Sequence, residues 1–122
     1  MHRRRFQMLV SRYLRSLPHP VLERLDNVAI VTARRPTAEQ LANQGLLDDE
    51  DLLGLYEGVP LTERGGDYGM VLPDRITLFQ EPIEAMCSND AEIRSQILQT
   101  IVHEIGHHMG LTDQDLKRLG WE

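Results

Sequence analysis

The chain has 122 residues, enough for about one ordinary domain and short for a second core. Hydrophobic residues at 41% and charged residues at 26% are typical of a globular protein and exclude global disorder; no apolar run approaches the ~20 residues of a membrane-spanning helix. The net charge of −6 hides an asymmetry, because residues 1–35 carry eight Arg against Glu23 and Asp26, a balance of +6, whereas residues 36–122 carry five basic and seventeen acidic groups, a balance of −12.

The N-terminus begins with Arg3, Arg4 and Arg5, but Met8-Leu9-Val10 is too short for a signal-peptide core. Residues 1–22 lack Asp and Glu, as a transit peptide would, yet the pattern favours a packed helix. Phe6, Leu9, Val10, Tyr13, Leu14 and Leu17 recur at the spacing of one helical face. Residues 1–18 are therefore expected to form a basic amphipathic helix, ended by Pro18 and Pro20. With no interleaved aromatics and no binding motif, we expect it to dock on the protein's own acidic half. Neither nucleic acid nor a membrane is an expected partner.

Val28 to Thr32 is β-branched and reads as a strand buried on both faces. Thr37 is placed to cap a short helix over residues 38–44, closed by Gly45. Leu52 to Val59 reads as a strand with a bulge at Gly54. Thr62 to Asp74, with Gly65, Gly66 and Gly69, is a candidate mobile loop. Ile76 to Gln80 reads as a third strand, stopped by Pro82. From Asn89 or Asp90 a long helix can run to Met109, ended by Gly110, and Asp115 to Leu119 adds a last helical turn. Helices and strands that do not alternate strictly predict a single α+β domain over residues 1–122, with a small sheet. Cys87 is the single cysteine, so no intramolecular disulfide forms and a cytoplasmic location is expected. A small buried hydrophobe is the favoured role for it, ahead of nucleophile or metal ligand.

The chemical signal is His103-Glu104-Ile105-Gly106-His107, an H-E-x-x-H sequence within the expected long helix. Four residues advance a helix by ~400°, which stacks His103 and His107 on one side. Two such imidazoles can bind one zinc ion at ~2.0–2.1 Å, and the zinc lowers the pKa of a bound water to ~7. Glu104 stands beside the metal rather than on it, where it can take a proton from that water and return it to a leaving amine. Gly110 forces a turn after the helix, and Asp113 follows three residues later, as a candidate third protein ligand that leaves the fourth position open. H-E-x-x-H alone arises by chance in roughly one such chain in a hundred, and the added Gly and Asp make the extended pattern far rarer. Ile93, Ile97, Ile101 and Ile105, with Leu98, Val102 and Met109, supply the apolar side of this helix, while Gln96 and Thr100 continue the side of the two histidines. The bland alternative is a solvated helix face. His108 is turned ~100° from His107 and reads as surface. His2 and His19 follow no pattern, and Tyr68 and Arg75 read as structural rather than as oxyanion donors.

His103 to Asp113 resembles the metzincin signature with Asp for the third His. Leu53-Gly54-Leu55-Tyr56-Glu57-Gly58-Val59-Pro60-Leu61-Thr62 and Pro73-Asp74-Arg75-Ile76-Thr77-Leu78-Phe79, with the helix motif, resemble a family of very small bacterial zincin-like metallopeptidases. The likeness spans about residues 20–118. It implies a minimal zincin fold, with a small mixed sheet packed on the active-site helix, and bound Zn2+. Unlike metzincins, the chain has no Met after Asp113. A cleft of one helix and one exposed strand suits an extended peptide added to the sheet edge.

The expected function is thus a zinc metallopeptidase with a peptide or protein substrate, metal ligands His103, His107 and Asp113, and Glu104 as base and acid. A zinc-binding regulatory or interaction domain without turnover is the alternative, as is hydrolysis of a non-peptide amide.

Overall fold

In the computed structural model, residues 1–46, 51–58, 74–108 and 113–118 are described, with side chains except those of Arg24, His107, His108, Asp113 and Leu116. The elements follow in the order α1 (Arg3–Leu14), α2 (His19–Arg24), β1 (Val28–Ala33), α3 (Ala38–Asn43), β2 (Gly54–Glu57), β3 (Asp74–Phe79), α4 (Gln80–Ala85), α5 (Asp90–His108) and α6 (Asp113–Arg118). The three strands form one mixed sheet in the order β1-β3-β2, with β1 parallel and β2 antiparallel to the central β3. This is an α+β architecture, as the sequence predicts.

Periodicity explains the two long helices. Phe6 is 0% exposed and Val10 4%, and they lie on the side of α1 that meets α5. In α5, Ile97, Ile101 and Ile105 are all fully buried, with Leu98 and Val102 beside them. A repeat of four keeps these residues on one side of the helix. Asn89 Oδ1 accepts the Glu92 N–H at 2.9 Å, and Glu92 Oε1 accepts the Ser88 N–H at 3.0 Å, so side chains satisfy the open donors at the start of α5. Around α5 gather α1, α2, α4, β2 and β3. The main core therefore joins Phe6, Val10 and Val21 to Tyr56, Ile76 and Leu78 through the α5 isoleucines.

The capped short helix forms as expected: Thr37 Oγ1 accepts the Gln40 N–H at 3.0 Å, and Gln40 Oε1 accepts the Thr37 N–H at 2.9 Å. Gly45, at φ 72°, ends it, and the Leu46 N–H returns to the Leu41 carbonyl at 2.9 Å. The N-terminal helix docks on the acidic half through Arg5 and Asp90 at 2.7 Å, and Arg34 reaches Glu81 at 2.6 Å. The Arg94 guanidinium lies 5.7 Å from the Tyr13 ring centre.

Several expectations need correction. β1 is not buried on both faces: it is an edge strand, and Val31 is 37% exposed. β2 pairs regularly with β3 from Gly54 onward, without a bulge. The N-terminal helix is shorter than expected: α1 ends at Leu14, before either proline, and Pro20 occupies the first turn of α2, where a missing N–H costs nothing. Pro82 likewise lies in the first turn of α4, which begins as β3 ends. Of the expected loop from Thr62 to Asp74, Asp74 instead begins β3 and the rest lies outside the described residues, as do the end of α5 at Met109, the turn at Gly110 and Tyr68. The last helix starts at Asp113, two residues earlier than expected. Arg75 takes a structural place, 3.4 Å from Glu57 across the β2–β3 pair.

Ile101 is fully buried at the middle of α5, so Ile101→Ala leaves a cavity that the sheet and α1 cannot both close. Urea unfolding is expected to show a loss of about 2–5 kcal/mol; a loss below about 1 kcal/mol would mean that α5 does not organise the core. Cys87 is half-buried against the core, and desolvation, with the Glu92 carboxylate second, raises its thiol pKa. A raised folded-state pKa gives stability that is present below the unfolded pKa and is lost as pH rises through the folded one. Iodoacetamide reacts with the thiolate, so its pH midpoint in the native protein should lie above that in denaturant. A native midpoint at or below the unfolded one would contradict this burial.

Candidate metal centre

The H-E-x-x-H sequence lies in the last turns of α5, which continues unbroken to His108. The helix backbone thus places His107 one turn beyond His103, on the same side. His103 is exposed and Glu104 half-buried, while Ile105 and Gly106 are buried between the motif's polar residues. The alternation has a simple cause: Ile101 and Ile105 are anchored in the core, which turns His103 away from it and leaves Glu104 at the boundary.

Which neighbour this side of α5 faces is fixed by Thr100, one turn before His103. Thr100 is 7% exposed, and its methyl lies against Gly54 at the start of β2. The side of α5 that carries Thr100 and His103 is therefore the side that meets the antiparallel edge of the sheet. On that same sheet face the Tyr56 hydroxyl donates to Asp74 Oδ2 at 2.8 Å, tying the end of β2 to the start of β3. Arg75 and Glu57 point to the other face, where the Gln40 side-chain amide also reaches Glu57, at 3.4 Å.

Asp113 opens α6, which packs on α5. Among the described residues no three His, Cys, Asp or Glu side chains gather as a metal site; the His107 and Asp113 side chains, and Gly110, lie outside them. The backbone brings His103 and His107 together, and the donor chemistry of two imidazoles and a carboxylate fits zinc. Cys87, on the segment that precedes α5, stands at the opposite end of that helix from His103 and takes no part. The sequence pattern takes Gly54 for a bulge and does not reveal its close approach to Thr100. The available signal was the pairing of a glycine in one element with a small β-branched residue on the histidine side of another.

No described helix is long and apolar enough to cross a membrane. No protein of curated function matches the chain. Among solved structures the chain is similar to a conserved hypothetical protein of Thermo thermophilus, at 20% identity and a TM-score of 0.56. That likeness covers 89% of this chain and 94% of the other, and it concerns the fold. A family model of zincin-like metallopeptidases matches residues 25–121, which contain the whole sheet, α5 and α6. With the H-E-x-x-H helix set beside an antiparallel edge strand and the match spanning most of its length, the chain belongs to the zincin-like metallopeptidase family.

Proposed function

We propose that the chain is a zinc-dependent peptidase in which His103, His107 and Asp113 hold the metal and Glu104 handles the proton. The observation that supports this reading is that α5 carries His103 and Glu104 in the turn after Thr100, whose methyl meets Gly54 of the edge strand β2. When bound, zinc would acidify a water and polarise the scissile carbonyl. Glu104, one residue after His103, is turned ~100° around the helix, so it stands beside the metal ligands and not among them. There its carboxylate takes the proton of the attacking water and delivers it to the departing amine.

The sheet narrows where a substrate can lie. Of the two strands near α5, β3 is paired on both sides and has no ladder to offer a peptide backbone. β2 is the edge strand beside α5. An extended peptide added to β2 would present alternate side chains toward and away from the helix, with main-chain hydrogen bonds supplying affinity. The reading is a peptide or protein substrate held in extended form.

His103→Ala and Asp113→Ala are each expected to weaken zinc binding, measured by chelator competition and by native mass spectrometry. Affinity should also fall at acid pH as the imidazoles protonate. Full zinc occupancy in His103→Ala would exclude this site, and unchanged affinity in Asp113→Ala would place the third ligand elsewhere.

Glu104→Gln preserves shape and removes the charge. It should retain zinc and fold while lowering peptide hydrolysis by about 10²–10⁴-fold. Equal cleavage by the variant would assign the hydrolysis to another site. A zinc-loaded wild-type protein that cleaves nothing in a diverse peptide library would instead favour a zinc-binding interaction domain or hydrolysis of a non-peptide amide.

A further inference from the structure

Gly54 pairs with Leu78 of β3 and lies on the sheet face that α5 covers. A side-chain carbon at this position would collide with Thr100 Cγ2, and would lie 3.3 Å from the Thr77 carbonyl oxygen and 3.6 Å from Leu78 Cδ2. The last is an ordinary contact; the second is tighter than most, and the paired strand would have to give there by a few tenths of an ångström. The first is the severe one. Thr100 is not free to swing aside, because its Oγ1 donates to the Gln96 carbonyl at 2.7 Å and the residue is nearly enclosed. The β2 backbone thus rests on a threonine methyl. This point of approach is three residues before His103, on the same side of the helix.

We propose that Gly54 is a positioning residue: by lacking a side chain it lets β2 settle on Thr100, and so sets the height of the sheet edge over the His103 side of α5. The inference rests on the peptidase reading and adds to it a residue that touches neither metal nor substrate. A peptide strand paired to β2 inherits the height of β2. A side chain at residue 54 would prop that strand away from α5, and a misplacement of about 1 Å can cost ~100-fold in rate. The conformation itself does not require glycine, since Gly45 is the described glycine with positive φ. Without the collision, Gly→Ala would therefore stabilise the protein by restricting the unfolded chain. Loss of stability in Gly54→Ala is consequently a signature of crowding at this position, not of backbone strain, and removal of the Thr100 methyl separates its share from that of the Thr77 carbonyl.

The test is a cycle of Gly54→Ala, Thr100→Ser and the double variant. Serine keeps the hydroxyl for the Gln96 carbonyl and removes the methyl that collides. Gly54→Ala is expected to lower Tm by about 5–10 °C, as overpacking does in a chain of this size. Its kcat/KM for peptides should fall by about 10–100-fold, with zinc affinity by chelator competition unchanged. Thr100→Ser alone should shift Tm by no more than about 4 °C. The double variant should recover most of both Tm and kcat/KM. A Gly54→Ala protein with Tm unchanged or raised, or a double variant as unstable as Gly54→Ala, would overturn the contact. A lowered Tm with undiminished kcat/KM would overturn the positioning role. Failure of the wild type to hydrolyse any peptide would sink the peptidase reading and the positioning role with it, while the Tm cycle would still report the contact, so the two failures are read separately.

Discussion

The burial of one side of α5 governs the arrangement of everything around it. Ile97, Ile101 and Ile105 are fully enclosed, and each contributes on the order of 2–5 kcal/mol relative to alanine. Because an α-helix is rigid over a few turns, anchoring that side also fixes the azimuth of every other residue on it. His103 is turned out of the core for the same reason that Ile101 and Ile105 are turned in. The H-E-x-x-H residues thus need no dedicated scaffold of their own. A packed helix holds them.

A second constraint comes from the sheet. The central strand β3 uses both ladders, one for β1 and one for β2, so the sheet offers its open edges at β1 and β2 alone among the described strands. The β2 edge stands beside α5, and the Gly54–Thr100 approach brings the strand closer to the helix than a side chain at residue 54 would allow. Chemistry and substrate alignment in the proposed reaction then depend on one helix and one strand. Neither requires a deep pocket, which suits a chain of this length.

Charge plays a lesser part in holding the molecule together. The basic N-terminal helix meets the acidic remainder through Arg5 and Asp90, both more than half exposed, and such surface pairs contribute about 0–1 kcal/mol. Phe6 and Val10, nearly or fully buried against α5, account for far more of the docking. The pairs instead orient α1 on a surface of opposite sign. The asymmetry of charge along the chain is thereby met within the fold where Arg5 reaches Asp90, Arg34 reaches Glu81 and the Met1 amino group reaches Glu84.

Elements whose cause is local were legible in the amino-acid order alone. The repeat of apolar residues marked α1 and α5, Thr37 and Gly45 marked the two ends of α3, and the i, i+4 histidines marked one side of α5. The short helices at Pro20 and Pro82 were hidden because proline marks both the stop of one element and the first turn of the next. Strand order, by contrast, emerges only when the chain is folded. Nothing in Val28–Thr32 reveals that its partner lies far along the chain at Asp74–Leu78, or that it takes an edge while Ile76–Phe79 takes the centre. Pairing is a non-local choice, made by which strands can bury apolar side chains against α5 together. The role of Gly54 is of the same kind: a missing side chain has meaning only when the residue it would strike, Thr100, is known.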